Sequence, residues 1–469
     1  MGLGHMKTAF GLGILLAGAL AANGWAGVAE DQLAQAVRDN DAAAVKSLLA
    51  AKADPNLPLP DQSTALAWAV DRQNPETVKL LLAAGATPNV ADINGVTPLA
   101  LACEMGDASI VGDLVAAGAN VKTTRADGIS ALALCAGNST PETVSALIAK
   151  GADVNAADPE GQTPLMWAAS KGKTGNITAL VKSGAQVNAR SQKGFTPLFF
   201  ALKSKVPAAS DLLMDSGADI NADLPDGTSI VQAALLENNV PFATRVLNKG
   251  VDLQHRDREG RQLIHAAAAS GDATFVKLVL SKGANPNALT TPPAPPPPVQ
   301  VASAAPAAVG ADGKKLARAD GSAGPPAPVT PPMPPLLFAA KAGSLEAMKA
   351  LVAAGANPKF KAKDGTTLAL AAAYGGRLDA MKYALELDPN LNAKATGGQS
   401  ILHIALMNKL SPEPQEVILF LADKGAKLDA RNDRGGTPAD LANQASPEPV
   451  RVFYVQLLKD RNVAPSTNH

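Results

Sequence analysis

Residues 158–189 read DPEGQTPLMWAASKGKTGNITALVKSGAQVNA, and each part of that stretch has a mechanical reading. Gly161 sits in a turn ahead of Thr163-Pro164, and Pro suits the first turn of a helix, where its missing N–H would bond nothing anyway. The helix that follows carries Leu165, Ala168 and Ala169, which include side chains small enough for a neighbouring helix to come close. A second helix holds Ile177, Leu180 and Val181 at helical spacing, and Gly184 ends it in the left-handed conformation that glycine tolerates best. Val187-Asn188 then leads into another turn of the same kind.

Outward from this stretch the pattern recurs. Gly95, Gly128, Gly161, Gly194, Gly227 and Gly260 each lie 33 residues apart. A second ladder, Gly85, Gly118, Gly151, Gly184, Gly217, Gly250 and Gly283, keeps the same step. A fixed step of this length is the signature of stacked modules, and at 469 residues the chain is too long for one ordinary core. Aromatic residues make up only 3% while Ala, Leu and Val dominate, a composition suited to closely packed helices rather than to a sheet.

The 33-residue step, the Thr-Pro-Leu helix start and endings such as Gly151-Ala152-Asp153-Val154-Asn155 resemble the ankyrin-repeat family over nearly all of the chain after the leader. That resemblance implies an all-α solenoid in which each unit is two antiparallel helices followed by an outward β-hairpin finger. Twelve units can be counted, starting near Asp31, Asp61, Asp92, Ala126, Asp158, Gln192, Pro225, Arg258, Pro334, Asp364, Gly397 and Asp433. Repeats 1–8 span 27–288 and repeats 9–12 with a C-terminal cap span 334–464, followed by a tail at 465–469. The first unit carries Gln32, Gln35 and Arg38, as a solvated end cap requires. The last helix is expected to turn Val452, Val455 and Leu458 inward and Gln456, Lys459 and Arg461 outward.

Residues 289–333 interrupt the array with a Pro- and Ala-rich insertion whose composition cannot bury a core and favours polyproline II or disorder. Pro164-Leu165 and Pro335-Leu336 are 171 residues apart, which is four steps of 33 plus 39. The helix after the insertion therefore starts in register, and one stack with a lengthened fingertip is favoured over two domains. Gly398 to Gly435 is 37, so the eleventh unit is four residues longer, near Lys409 to Gln415. With helices ~8–10 Å apart, twelve layers give a curved rod about 100–120 Å long.

The N-terminus reads as a secretory signal, residues 1–26: Lys7, then an apolar run from Thr8 to Ala22, then small residues around Ala22 to Gly27. Fifteen such residues are short for a membrane span, which needs about 20. The expectation is cleavage after Ala26, export to the periplasm or outside the cell, and no membrane insertion thereafter. An uncleaved leader tethering the chain to a membrane is the alternative.

Little in the sequence speaks for catalysis. His5, His255, His265, His403 and His469 show no metal-ligand spacing, so neither a metal nor a cofactor is expected. His265 and His403 stand where ankyrin units commonly carry a histidine that bonds within its own turn. No Walker-type phosphate loop and no Gly-x-Ser-x-Gly elbow is present. Lys plus Arg and Asp plus Glu both number 42, so no global field draws the chain to nucleic acid. Cys103 and Cys135 fall where Ala169 and Ala168 fall in the quoted unit, and both read as small core fillers. Matching positions in neighbouring helices are ~8–10 Å apart, beyond disulfide reach unless the one-residue offset brings them together.

A monomeric, non-catalytic scaffold for a protein partner is therefore the expected function, with contacts from fingers and the concave inner-helix face. The residues expected to carry it are Phe195, Arg258 and Arg261 in fingers and Arg72, Glu104, Met105, Lys171 and Tyr374 on inner helices. Trp68, Trp167, Phe200 and Phe338 share one repeat position with Leu101 and Leu134. That stripe reads first as packing, and as a partner-binding strip if it faces the concave side. A small-ligand or enzymatic site in a cleft beside the insertion is the competing reading.

Overall fold

The computed structural model describes residues 25–59, 62–291, 331–408 and 412–463. The expected leader lies outside them except for Trp25 and Ala26, with which the first helix opens. Most of the insertion (292–330), the irregularity at 409–411 and the tail also fall outside.

Twenty-four α-helices follow one another as twelve pairs, and among the described residues there is no strand. The quoted stretch shows why each pair forms. Thr163 Oγ1 accepts the N–H of Met166 at 3.4 Å, capping a helix that runs Pro164–Ser170. Such a cap is worth about 1 kcal/mol. Leu165, Ile177 and Leu180 are fully buried between the helix and its partner, Thr174–Lys182, at roughly 1.5–3 kcal/mol each. Gly184 reverses the chain at φ +89°, where a side chain would be strained. Gly161 is required by proximity as well: a Cβ there would stand 2.6 Å from the Gln192 nitrogen of the next finger.

The fingers differ from the expected β-hairpins. Asp158 Oδ1 accepts the N–H groups of Glu160 and Gln162 at 3.0 and 2.8 Å, and Asp92 and Asp257 do the same in their fingers. In these three fingers the carboxylate takes donors that a second ladder step would use, so each stays a tight turn. Only isolated bridges occur among the described residues, at Thr124–Ser130, Asp223–Ser229 and Ala395–Gln399.

The chain forms two compact units, residues 1–218 and 219–469, and their boundary does not coincide with the insertion. In residues 1–218 the first helices of the six pairs, from Trp25–Arg38 to Pro197–Ser204, pack side by side, and the second helices do likewise. Asparagine clasps join successive turns. Asn89 donates through Nδ2 to the Gly118 carbonyl at 3.1 Å and accepts the Asn120 N–H at 2.7 Å. Asn56 and Asn155 repeat this at the same spacings of 29 and 31 residues.

In residues 219–469 the same layering runs from Ile230–Leu236 to the last pair, which opens at Thr437-Pro438. The first helices of the seventh, eighth, tenth and eleventh pairs start without a proline, behind Ser229, Gln262, Thr367 and Ser400 at the N-cap. The clasp also spans the insertion. Asn287 donates to the Gly355 carbonyl and accepts the Asn357 N–H, both at 2.8 Å and 68 and 70 residues away. Those separations are 29 plus 39 and 31 plus 39, so the helices flanking the insertion, Leu263–Ser270 and Pro335–Lys341, pack as ordinary neighbours. Thr290 and Met333 close the base of the lengthened finger, N–H to carbonyl at 3.1 Å and N–H to Oγ1 at 2.9 Å.

The closing helix, Glu448–Asp460, is rotated from its expected setting. Val450, Tyr454, Leu457 and Leu458 are buried while Val452 is 57% exposed. Tyr454 sets the rotation: its hydroxyl donates to the Leu428 carbonyl at 2.9 Å, and burial pushes the phenol pKa up.

Candidate interaction surface

In residues 1–218 the apolar stripe is only half covered. Trp68, Leu101, Trp167 and Phe200 are part-exposed on the first helices, while Leu134 is buried. The packing reading is therefore incomplete, because these side chains also form surface. Trp68 and Leu101 line a cavity of about 300 Å³ together with Asp71, Asp92, Glu104 and Arg125. Arg38 and Arg72 lie over the Trp68 ring at 4.6 and 5.9 Å. Glu104 accepts from Arg125 at 3.0 Å, and Met105 is 40% exposed beside it. Of the expected contact residues, Arg72, Glu104 and Met105 thus share one neighbourhood.

Two further expected residues, Lys171 and Phe195, belong to the fifth and sixth repeats. Lys171 is exposed at the end of its helix. Phe195, in a finger, stacks on Phe199 with ring centres 4.5 Å apart, and Phe199 meets Phe200 edge-on at 6.3 Å.

Cys103 and Cys135 correct the reading as separate core fillers, because they form a disulfide between adjacent first helices. The one-residue offset brings their Cα atoms to 4.3 Å, and both residues are fully buried. Helices lined by Ala and Gly approach closely enough for this.

In residues 219–469 the finger residues have work inside the fold. Arg261 binds Asp257 at 2.7 Å and Glu259 at 2.9 Å, and the Asp257 side chain is only 1% exposed. Arg258 is exposed but donates to the Pro225 carbonyl. Tyr374 is 43% exposed, and Leu236 and Met407 are 73% and 47% exposed. Leu236 and Met407 escaped the sequence reading although the register contained the signal. Each lies seven residues after its helix N-cap (Ser229, Ser400), as Tyr374 does after Thr367. The same position in residues 1–218 holds Asp71, Glu104, Gly137, Ser170 and Lys203.

A cavity of about 220 Å³ near the insertion is lined by Gln232, Leu236, Arg261, His265, Ala266 and Ala269, among others. His265 uses both ring nitrogens: Nδ1 accepts the Gln262 N–H at 3.0 Å and Nε2 meets the Ala288 carbonyl at 2.9 Å. Its ring also meets Phe338, the stripe residue of the ninth repeat, edge-on at 5.5 Å. Burial lowers the His265 pKa to about 4. His403 repeats the arrangement with Ser400 and Gly436, and burial lowers its pKa too. Both histidines therefore bond within their own turn, as expected, and also tie the following finger. Between second helices, Lys382 and Lys424 flank the Phe420 ring at 5.8 and 5.7 Å around a cavity of about 410 Å³. Among the described residues no group of His, Cys, Asp and Glu could hold a metal ion, and no helix is long and apolar enough to cross a membrane.

A family model described as ankyrin repeats (3 copies) matches residues 33–125, 104–191, 132–223, 198–290 and 336–432. The crystal structure of the human ASB11 ankyrin repeat domain is similar at 27% identity and a TM-score of 0.39, over 42% of this chain and 89% of that domain. No curated protein matches the chain. Ankyrin repeats generally mediate protein–protein interaction, and proteins built from them are typically non-catalytic scaffolds. With its matched segments covering well over half of the sequence, the chain belongs to the ankyrin-repeat family.

Proposed function

We propose that this protein is an exported, non-catalytic scaffold that holds a partner protein against its first-helix face and fingers. One observation carries the reading: large apolar side chains, Trp68, Leu101, Trp167 and Phe200, stay part-exposed at one repeat position of an otherwise clasped framework. Half-covered aromatics flanked by charges are the side chains that anchor interfaces. The Cys103–Cys135 disulfide supports export, because such bonds persist in oxidising compartments. In the cavity beside the insertion, the His265 nitrogens and the Arg261 guanidinium are already engaged, which favours the scaffold over a catalytic site.

Crosslinking in the native host, with mass spectrometry of the adducts, tests the reading. A partner peptide joined to first-helix or finger residues is expected, and a blank across all of them refutes it. Fractionation of the same cells tests export. Recovery in the cytoplasm with two free thiols opposes it, and sedimentation with membranes after a high-salt wash identifies a tethered form.

A further inference from the structure

Between Gly161 and Ser210 the chain carries seven Lys and Arg residues and not one Asp or Glu, in a protein whose charges balance over its full length at 42 each. All seven are exposed. The same stretch carries the part-exposed aromatic residues of two successive repeats, Trp167 in the fifth and Phe195, Phe199 and Phe200 in the sixth. Phe195, Phe199 and Phe200 form a stacked and edge-on series, and Lys203 Nζ stands 5.9 Å from the Phe199 ring centre. In the preceding repeat Trp167 donates to Asp158 at 3.3 Å. Beside it lies buried Gly137, and a Cβ there would meet Lys171 Cγ at 3.6 Å and the Trp167 ring at 3.7 Å. The missing side chain leaves Trp167 and the Lys171 stem lying across the neighbouring helix.

We infer that this basic, aromatic-floored patch of the fifth and sixth repeats docks an acidic segment of the partner protein through an apolar anchor. The inference rests on the scaffold reading and specifies its site and the partner's chemistry. Charge complementarity selects the acidic character: exposed cations stand at the helix ends (Lys171 in the fifth repeat, Lys203 beside the Phe199 ring) and in the finger (Lys193). The rings select protein over nucleic acid. A base needs an open aromatic face to stack on, whereas Phe195 and Phe199 already cover each other.

A benzophenone side chain introduced at position 200 of the full chain tests this in the native host, with a second one at position 258 for comparison. The expected adduct at 200 is a peptide of net negative charge. Its yield should drop roughly tenfold or more with Lys171→Glu plus Lys203→Glu, and persist with Lys171→Arg plus Lys203→Arg. Circular dichroism of the charge-reversed chain, matching the parent, shows that the loss is not unfolding. A neutral or basic peptide, a nucleic-acid adduct, or a yield indifferent to charge reversal overturns the inference. Adducts at 258 with none at 200 overturn it while the scaffold reading stands; silence at both positions and across the other surface sites removes both.

Discussion

Replacing Cys103 and Cys135 with alanine cuts the covalent link between the third and fourth repeats while leaving two small apolar side chains in the core. The bridge closes a loop with a sequence separation of 32. In the chain-entropy description, ΔS is about −2.1 − 1.5R ln n, which for this loop is a loss of about 12.4 cal/mol/K, or about 3.7 kcal/mol at 25 °C. That corresponds to roughly a 500-fold change in the unfolding equilibrium of the linked repeats. Hydrogen exchange is the suitable assay, because repeat arrays open segment by segment. Amides of Pro98–Met105 and Ala131–Asn138 should lose protection in the double variant, and the wild type treated with a dithiol reductant after mild denaturation should behave alike. Two labelled thiols in the denatured, unreduced wild type, or unchanged exchange after both perturbations, refutes the reasoning.

In the second unit, His265 has a folded pKa of about 4 against about 6.5 unfolded, so between those values the unfolded chain binds more protons and stability falls as pH falls. The loss begins below about pH 6.5, reaches about 2 kcal/mol near pH 5, and should vanish in His265→Gln when exchange of Leu263–Ser270 is followed against pH. Arg261→Ala leaves the Asp257 carboxylate buried without its cation. Denaturant titration should show a loss of roughly 2 kcal/mol, below the ~3–5 kcal/mol of fully buried pairs because Arg261 is partly exposed. Asn287→Ala removes both clasp bonds across the insertion and should cost about 1–2 kcal/mol by the same measurement. Deleting residues 292–330 and joining Thr291 to 331 through a short Gly-Ser turn should leave the helical circular dichroism per residue and the melting temperature nearly unchanged, since Thr290 and Met333 already meet.

The repeat was legible because its glycines answer to backbone geometry. Gly184 needs a positive φ and Gly161 needs room for the next finger, so glycine recurs at both positions through most of the array. The 39-residue remainder across the insertion was legible for the same reason, and it reappears in the Asn287 clasp. What escaped depends on finer distances or on partners outside the local pattern. The disulfide turns on how close Ala- and Gly-lined helices come, which no register encodes. Arg261 looks like a free finger cation until the burial of Asp257 is known. Val452 faces outward because the Tyr454 hydroxyl finds a carbonyl 26 residues away. The part-exposed stripe was visible as a shared position, but its exposure could only be seen once the helices were packed.

The clasps also set a timetable for assembly. Each asparagine can close as soon as about thirty further residues have emerged, so successive repeats dock in step with an N-terminus-first chain. Asn287 must wait for residue 357. At about 5–20 residues per second the additional 39 residues hold that step back by roughly 2–8 s. Throughout that delay the ninth repeat is not yet there to cover the apolar flank of the eighth. A chaperone that meets this chain during synthesis has its longest opportunity there.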